Sequence, residues 1–171
     1  MTPQRLYNIC IVQPPGYIHS LAFAELAELL MYSIRDAGRP AQIQTNQFVQ
    51  GAVNVIVGAH LLGVSALRAV PEGTIILNTE QLTGVAEKWR EQLTGWFESG
   101  LEIWDYSPAN IDVIKALGAE KVRHLPIGFQ RELQRIDISV EQDIDVLFYG
   151  SINERRREIL TEIEGRGLNL K

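Results

Sequence analysis

Short apolar runs alternate along the chain with longer segments whose apolar residues recur every three or four positions. The runs, four to seven residues long, predict six strands, at 6–12, 41–44, 54–57, 74–77, 102–106 and 121–125. The segments between them predict helices, at about 20–37, 61–69, 85–98 and 108–117. Because strand and helix alternate, we predict an α/β chain: a Rossmann-like, three-layer parallel sheet with helices on both faces.

Residues at the predicted helix ends support these boundaries. Gly38 and Pro40 follow the first helix, where a glycine closes a helix and a proline prevents its continuation. Ser107 precedes Pro108, which places a capping hydroxyl before a proline at the first helical position. Gly118 then ends the helix that begins there.

The last part of the chain begins a further strand and helix. Val146 to Tyr149 predict a buried strand, and Gly150 interrupts the apolar run. Ser151 and Glu154 have the spacing of a capping box, in which each side chain bonds to a free backbone N–H of the other's turn. This stretch therefore predicts a strand, a glycine turn and a helix.

The chain divides into three parts on this interpretation. Residues 1–129 predict a Rossmann-like domain, and residues 130–144, which are polar and weakly patterned, predict a linker. Residues 145–171 predict the first strand and helix of a second, truncated domain. A chain of 171 residues is long enough for one good core and too short for two ordinary domains.

Composition and charge narrow the classes of function. A net charge of −5 argues against a nucleic-acid binder, which needs a basic face. Cys10 is the only cysteine and lies in an apolar run, which predicts a buried side chain and excludes a disulfide. No signal peptide opens the chain, and no apolar run reaches the roughly 20 residues of a membrane span, so we expect a cytoplasmic protein.

Ligands of open α/β sheets bind beyond the carboxyl ends of the strands. The candidate residues are those that follow the predicted strands: Gly16, Tyr17, His19, Gly58, His60, Asn78, Thr79, Glu80, Tyr106, Ser107, Gly128 and Phe129. A neutral imidazole can remove a proton at about pH 7, and a carboxylate can orient it. We therefore predict that His19 or His60 activates a hydroxyl acceptor, with Glu80 as the orienting partner.

Other conspicuous side chains predict structural roles. His124 lies inside a strand, and Asp105, at a strand end, can bond to neighbouring backbone amides. Trp89, Trp96 and Trp104 occupy apolar helix or strand positions, which favours core packing over an exposed stacking platform.

Several enzyme motifs are missing from the sequence. The loop after the first strand reads QPPGYIH rather than G-x-G-x-x-G, which disfavours a dinucleotide dehydrogenase, a nucleotide switch or a methyltransferase. Neither a P-loop nor a G-x-S-x-G hydrolase elbow occurs, and no spacing of histidine and carboxylate residues predicts a metal site. In the run of three arginines, Arg155 or Arg156 is placed to meet a phosphate after Gly150.

Six segments follow one another in a recognisable order: YSIRDAG, GAHLL, NTEQL, WDYSPAN, HLPIGF and DVLFYGSINERRREIL. Their order and spacing resemble bacterial glycosyltransferases of the GT-B fold, of the family 1, spore-coat CgeB-like type. The resemblance covers roughly residues 7–160. It implies two Rossmann-like domains facing across a cleft, with the acceptor on the first domain and a nucleotide-sugar donor on the second.

The resemblance also implies roles for individual residues. A sugar would pass from the nucleotide-sugar, which is a co-substrate and the only cofactor-like group, to a sugar or polypeptide acceptor. Catalysis would involve three residues, His19, His60 and Glu80. Acceptor contacts would come from Gly16, Tyr17, Asn78 and Tyr106. Contacts to the donor diphosphate, without a metal, would come from Gly150, Ser151, Asn153 and Arg155.

The chain departs from this family because most of the donor domain is missing, so we expect no sugar transfer by these 171 residues alone. The apolar faces of residues 143–165 then need another cover, which predicts either packing on the sheet of the first domain or a homodimer through this segment. A non-catalytic Rossmann-like binding or assembly module is the alternative interpretation.

Overall fold

The computed structural model describes residues 4–82, 87–137 and 139–171, without the side chains of residues 87–89. The chain forms two compact units, Met1–Gln134 and Arg135–Lys171. Within the described residues, no helix combines the length and the apolar character needed to cross a bilayer.

The described part of the first unit contains a six-stranded sheet in which neighbouring strands are parallel. The strands are β1 Tyr7–Ile11, β2 Ala41–Thr45, β3 Val53–Val57, β4 Ile75–Leu77, β5 Glu102–Asp105 and β6 Val122–His124. Their order across the sheet is β2-β1-β3-β4-β5-β6. The predicted α/β, Rossmann-like parallel sheet is confirmed, because each predicted strand lies within one residue of its expected ends.

Helical segments cover the sheet. The α-helices are α1 Ala24–Asp36, α2 Glu87–Phe97 and α3 Pro108–Ala116, and the 3₁₀ segments are Ile18–Phe23, Ala59–Leu61, Val64–Ala69 and Arg131–Leu133. The predicted helix 20–37 therefore starts as a 3₁₀ turn. The predicted helix 61–69 is wrong as a single helix, because Gly63 is extended between two 3₁₀ segments. The expected start of α2, at residues 85–86, lies outside the described residues.

The predicted helix caps of α1 and α3 are present. After α1, Gly38 has a φ of +75° and its N–H donates to the Arg35 carbonyl, 2.8 Å away. Gly118 ends α3 in the same way, with a φ of +95°. At the start of α3, the Ser107 hydroxyl oxygen accepts a hydrogen bond from the Asn110 N–H at 3.4 Å.

Apolar side chains pack on both sides of the sheet. On one side, strand residues pack against three residues of α1, which are Ala27, Leu30 and Met31. On the other side, they pack against α2 and α3, through Leu93, Trp96, Phe97 and Ile114. Trp96 is fully buried and Trp104 is half-buried, as core packing requires, and the side chain of Trp89 lies outside the described residues.

The connection from β2 to β3, residues 46–52, contains no helix. Since β2 and β3 are parallel and flank β1, this segment returns across one face of β1. Two buried asparagines hold it there. The Asn8 amide donates to the Gln47 carbonyl at 2.9 Å, and the Asn54 side chain accepts from the Val49 N–H and donates to the Val49 carbonyl.

The second unit contains helix α4, Glu154–Gly165, and a short extended segment before it. The predicted buried strand Val146–Tyr149 is wrong. Val146 forms one isolated parallel bridge, with Leu170, and Tyr149 is 98% exposed. A strand is buried only when neighbours cover its faces, and among the described residues of this unit the extended segment pairs only with residues 169–171.

The start of α4 also differs from the prediction. Asn153 is the N-cap residue, and its side-chain oxygen accepts a hydrogen bond from the Arg156 N–H at 2.9 Å. The capping box of Ser151 and Glu154 is therefore wrong. Asparagine caps a helix at least as well as serine, so Asn153 takes the cap and Glu154 becomes the first helical residue.

Candidate functional site

His60 and Glu80 form a pair at the carboxyl ends of two neighbouring strands, β3 and β4. The Nε2 atom of His60 lies 3.3 Å from Oε1 of Glu80. The side chain of His60 is 7% exposed and that of Glu80 is 32% exposed. Of the two side chains, Glu80 is therefore the one that solvent and a ligand can reach, and the buried His60 contacts its carboxylate.

Gly58 gives His60 its position. This residue follows β3 with a φ of +91°, a backbone conformation that is strained for residues with a side chain. The 3₁₀ segment that contains His60 starts directly after it. The ring of Phe23 packs edge-on against the His60 ring, with centroids 6.0 Å apart. A Cβ atom on Gly58 would lie 2.9 Å from Phe23 Cε2, so only glycine leaves room for this packing.

Burial and charge act on the His60 imidazole in opposite directions. Burial lowers the pKa of His60 below its ordinary value of 6.5, and the Glu80 carboxylate opposes that shift. Since burial is the larger effect, His60 is mainly neutral at about pH 7. A neutral imidazole can orient the Glu80 carboxylate and can also accept a proton.

Asp105 fixes the loop that carries Glu80. Its fully buried carboxylate accepts hydrogen bonds from the Ser107 N–H at 2.6 Å and from the Asn78 and Asn110 side-chain amides at 2.7 and 3.1 Å. Both of these amides also donate to the Glu80 carbonyl, each at 2.9 Å. The backbone of Glu80 is therefore held by two side chains that Asp105 holds in turn.

Asn110 is a residue that the sequence analysis missed. Its side-chain oxygen accepts the Leu82 N–H at 3.0 Å, and its amide donates to Asp105 and to the Glu80 carbonyl. The available signal was a polar residue in the first turn of α3, directly after a strand that ends in aspartate. Asp105 itself bonds to the neighbouring backbone amide of Ser107, as predicted.

Tyr106 and Asn78, two of the predicted acceptor contacts, are engaged by the protein. The Tyr106 hydroxyl donates to the Thr79 carbonyl at 3.2 Å. Burial raises the pKa of Tyr106, and the negative charges of Asp105 and Glu80 raise it further. The hydroxyl therefore stays protonated and acts as a fixed donor at the edge of the site.

The loop after β1 forms a separate group. Gly16 has a φ of +73°, and the Tyr17 N–H donates to the Pro14 carbonyl at 3.0 Å, which closes a turn. His19 is exposed, and its ring lies edge-on to the Tyr17 ring with centroids 5.2 Å apart. In the described contacts His19 meets Tyr17 rather than Glu80, so the structure pairs the Glu80 carboxylate with His60.

His124 lies at the end of β6 and is exposed. Its Nε2 atom lies 3.3 Å from the Tyr106 carbonyl oxygen, a backbone contact of the structural kind that the sequence predicts.

The predicted donor-phosphate residues all lie in the second unit. Asn153 caps α4, and the Ser151 carbonyl accepts a hydrogen bond from the Arg156 guanidinium at 2.6 Å. Gly150 has a φ of +140°, and Arg155 is exposed. Two of the four predicted residues therefore have structural contacts, and Arg155 remains solvent-facing.

Fold and site together define a parallel, Rossmann-like α/β protein with a histidine–carboxylate pair at the carboxyl edge of its sheet. The chain is 31% identical over 109 residues to an uncharacterized protein of Acanthamoeba polyphaga mimivirus. That match covers 61% of this chain and 14% of the viral protein, so the chain spans a small part of that relative's length. No family model matches the chain, and no solved structure matches it.

Proposed function

We propose that this chain carries the acceptor-side domain of a GT-B type glycosyltransferase, which transfers a sugar from a nucleotide-sugar to a hydroxyl group. The observation that carries the proposal is the contact between His60 and Glu80 on the carboxyl rim of the sheet. The resemblance of six sequence segments to such enzymes supports it. A cytoplasmic location is part of the proposal, since the single cysteine is buried and unpaired, which suits a reducing compartment.

In the proposed reaction, the acceptor oxygen forms a bond to the anomeric carbon of the sugar. The bond from that carbon to the nucleotide diphosphate breaks, and its electron pair leaves with the diphosphate. The acceptor hydroxyl loses its proton to Glu80, while His60 orients the carboxylate through Nε2. The low exposure of His60 favours this division of roles over direct attack by the imidazole on the acceptor proton.

The donor diphosphate is proposed to lie against Gly150 and Arg155. An exposed arginine side chain suits an oxyanion, and Gly150 presents backbone without a side chain. Ser151 and Asn153 contribute indirectly, because they fix the turn and the start of α4.

A non-catalytic binding or assembly module is the second candidate. One observation favours it: the network around Asp105 engages Asn78, Asn110 and Tyr106 with the protein itself, as a purely structural lock would. The two candidates differ in whether the Glu80 carboxylate binds an acceptor hydroxyl.

Calorimetric titration of the chain with p-nitrophenyl glycosides tests the proposal. We expect measurable binding that falls at least about tenfold in Glu80→Gln, because a charge-assisted hydrogen bond contributes roughly 1.5–3 kcal/mol. Asp112→Asn, the same substitution at an exposed position of α3, is the control and should bind like the parent chain. Absence of glycoside binding, or equal binding by Glu80→Gln, contradicts the enzyme proposal and favours the module.

A further inference from the structure

A cavity of about 350 Å³ lies in the first unit, at the carboxyl ends of β1 and β2 and beside the segment that follows β3. Cys10 and Val12 of the β1 region form its floor, and Phe48 belongs to the connection between β2 and β3. Leu61 and Leu62 line the side that follows His60. The cavity is thus close in sequence to the histidine–carboxylate pair but uses different side chains.

The fold explains why space remains here. In a doubly wound sheet the crossover connection from one parallel strand to the next usually contains an α-helix. Residues 46–52 make this crossover as a loop, which hydrogen bonds from Asn8 and Asn54 hold in place. The cavity therefore lies between that loop and the 3₁₀ segments, Ala59–Leu61 and Val64–Ala69, that follow β3.

The location is the one where open α/β sheets bind ligands. In the sheet, β2 lies on one side of β1, and β3, the next strand along the chain, lies on the other side of β1. The order of strands reverses at this point, and the crevice outside the carboxyl ends of β1 and β3 is the usual binding position.

The mouth of the cavity is preformed. Asn46 adopts a φ of +54° and bonds to Gln13 twice: its side-chain oxygen accepts the Gln13 N–H at 2.7 Å, and its amide donates to the Gln13 carbonyl at 2.6 Å. Pro14 and Pro15 follow directly and stiffen the rim. Among the described residues, the Gln13 side-chain amide has no hydrogen-bond partner, so it is available to a ligand.

The lining determines the chemistry of the occupant. Among the residues that the structure describes, no charged residue lines the cavity, and its walls are mainly aliphatic residues, prolines and Phe48. Phosphates and carboxylates would lose their hydration without a partner there. Burial raises the pKa of Cys10, so the thiol on the floor is neutral as well.

Size narrows the ligand further. An apolar cavity of about 150 Å³ in another protein holds one benzene ring. A cavity of about 350 Å³ is roughly twice as large, and lies within the usual range of small-molecule pockets. We propose that this cavity is a binding site for a neutral aromatic compound of two fused rings, with the Gln13 amide as its polar contact. This inference does not depend on the proposed sugar transfer.

Titration with 5-fluoroindole, followed by ¹⁹F NMR, tests this site. We expect saturable one-to-one binding with a Kd of about 1 mM or tighter. The largest changes in protein methyl shifts should occur at Val12, Leu61 and Leu62. Absence of saturable binding, or shift changes centred elsewhere, overturns the proposal.

Two variants fill the cavity. Ala66→Phe and Ala69→Phe each place a ring in the cavity, and each should weaken 5-fluoroindole binding at least about tenfold. Ala69 is exposed, so its variant is expected to fold even if Ala66→Phe does not, and thermal melting checks both. Ala116→Phe, at an exposed position of α3, is the control and should bind like the parent chain.

Binding that survives in Ala69→Phe overturns the cavity as the site. The test of the cavity and the test of the proposed sugar transfer have independent outcomes. Loss of glycoside binding in Glu80→Gln bears on the proposed enzyme, and loss of 5-fluoroindole binding in Ala69→Phe bears on the cavity.

Discussion

At the scale of single residues, His60 illustrates how burial and charge set the state of a side chain. Burial lowers its pKa and Glu80 raises it, with burial the stronger influence. The folded protein therefore takes up this proton at a lower pH than the unfolded chain. His60 contributes most to stability above about pH 6.5, and that contribution is lost as the pH falls through its lowered pKa.

The first prediction follows from that sign. Urea unfolding of the parent chain and of His60→Gln at pH 7.5 and at pH 5.5 should show a smaller loss of stability on acidification in the variant. His124→Gln, the same substitution at an exposed histidine, is the variant for comparison. Equal acid sensitivity of His60→Gln and the parent chain contradicts the assignment.

Gly58 gives a second prediction at this scale. Gly58→Ala meets both a positive φ and a 2.9 Å contact with Phe23, whereas Gly73→Ala meets a φ of +74° in open space. The backbone conformation costs about 1–2 kcal/mol in both variants. Overpacking adds about 1–3 kcal/mol in Gly58→Ala alone. Thermal or urea unfolding measures the difference, and equal destabilisation of the two variants would disprove steric conflict with Phe23.

Asp105 gives a third prediction. The buried Asp105 carboxylate accepts three hydrogen bonds. Asp105→Asn replaces one of its oxygens by an NH₂ group, which is itself a donor and would face a neighbouring donor. We expect a loss of about 1.5–3 kcal/mol in the free energy of unfolding for each charge-assisted bond that is broken. Asp112→Asn, at an exposed position, should change stability by less than about 0.5 kcal/mol. A similar small effect at Asp105 would show that the carboxylate is not needed to hold the Glu80 loop.

At the scale of elements, the contact between α2 and the 3₁₀ segment Val64–Ala69 is unusually close. A Cβ atom on Gly95 would lie 2.6 Å from Val64 Cγ2, so the glycine lets the two segments approach. Alanine favours a helix over glycine by about 1 kcal/mol, yet the clash opposes that gain. We predict that Gly95→Ala destabilises the parent chain.

The same substitution in a Val64→Ala background removes the opposing methyl groups. There Gly95→Ala should stabilise the protein by up to about 1 kcal/mol, as helix propensity alone predicts. Urea unfolding of the four chains in this double-mutant cycle gives the coupling between the two positions. Destabilisation of equal size in both backgrounds would contradict the close contact.

The sheet of the first unit is predictable from the sequence because its strands are apolar runs closed by glycine, proline and capping residues. The connection 46–52 is not predictable in this way, since its packing depends on Asn8 and Asn54, which are distant in the chain. The sequence also overestimates burial of Val146–Tyr149, because an apolar run shows what can be buried and not what covers it. The pairing of His60 with Glu80 follows from parallel strand order, but their relative exposure does not.

At the scale of the whole molecule, the second unit exposes several large apolar side chains, including Leu147, Tyr149, Ile152 and Ile159. Exposed apolar groups of this size favour a partner surface. The homodimer through residues 143–165 therefore remains a prediction, with packing on the first unit as its alternative. Light scattering of the parent chain and of Leu147→Asp measures the molar mass of each. If the parent chain and Leu147→Asp are both monomers, and residues 143–165 exchange their amide hydrogens rapidly, both the homodimer and the packing on the first unit are contradicted.

The central claim is that ligand chemistry takes place on the carboxyl rim of the sheet, beside Glu80. Amide shift mapping of the chain saturated with a p-nitrophenyl glycoside tests this claim most directly. We predict that the largest shift changes fall at residues 58–60, 78–80 and 106–107. Changes centred instead on residues 38–40, 51–52 and 73–74, at the opposite ends of the strands, would contradict it.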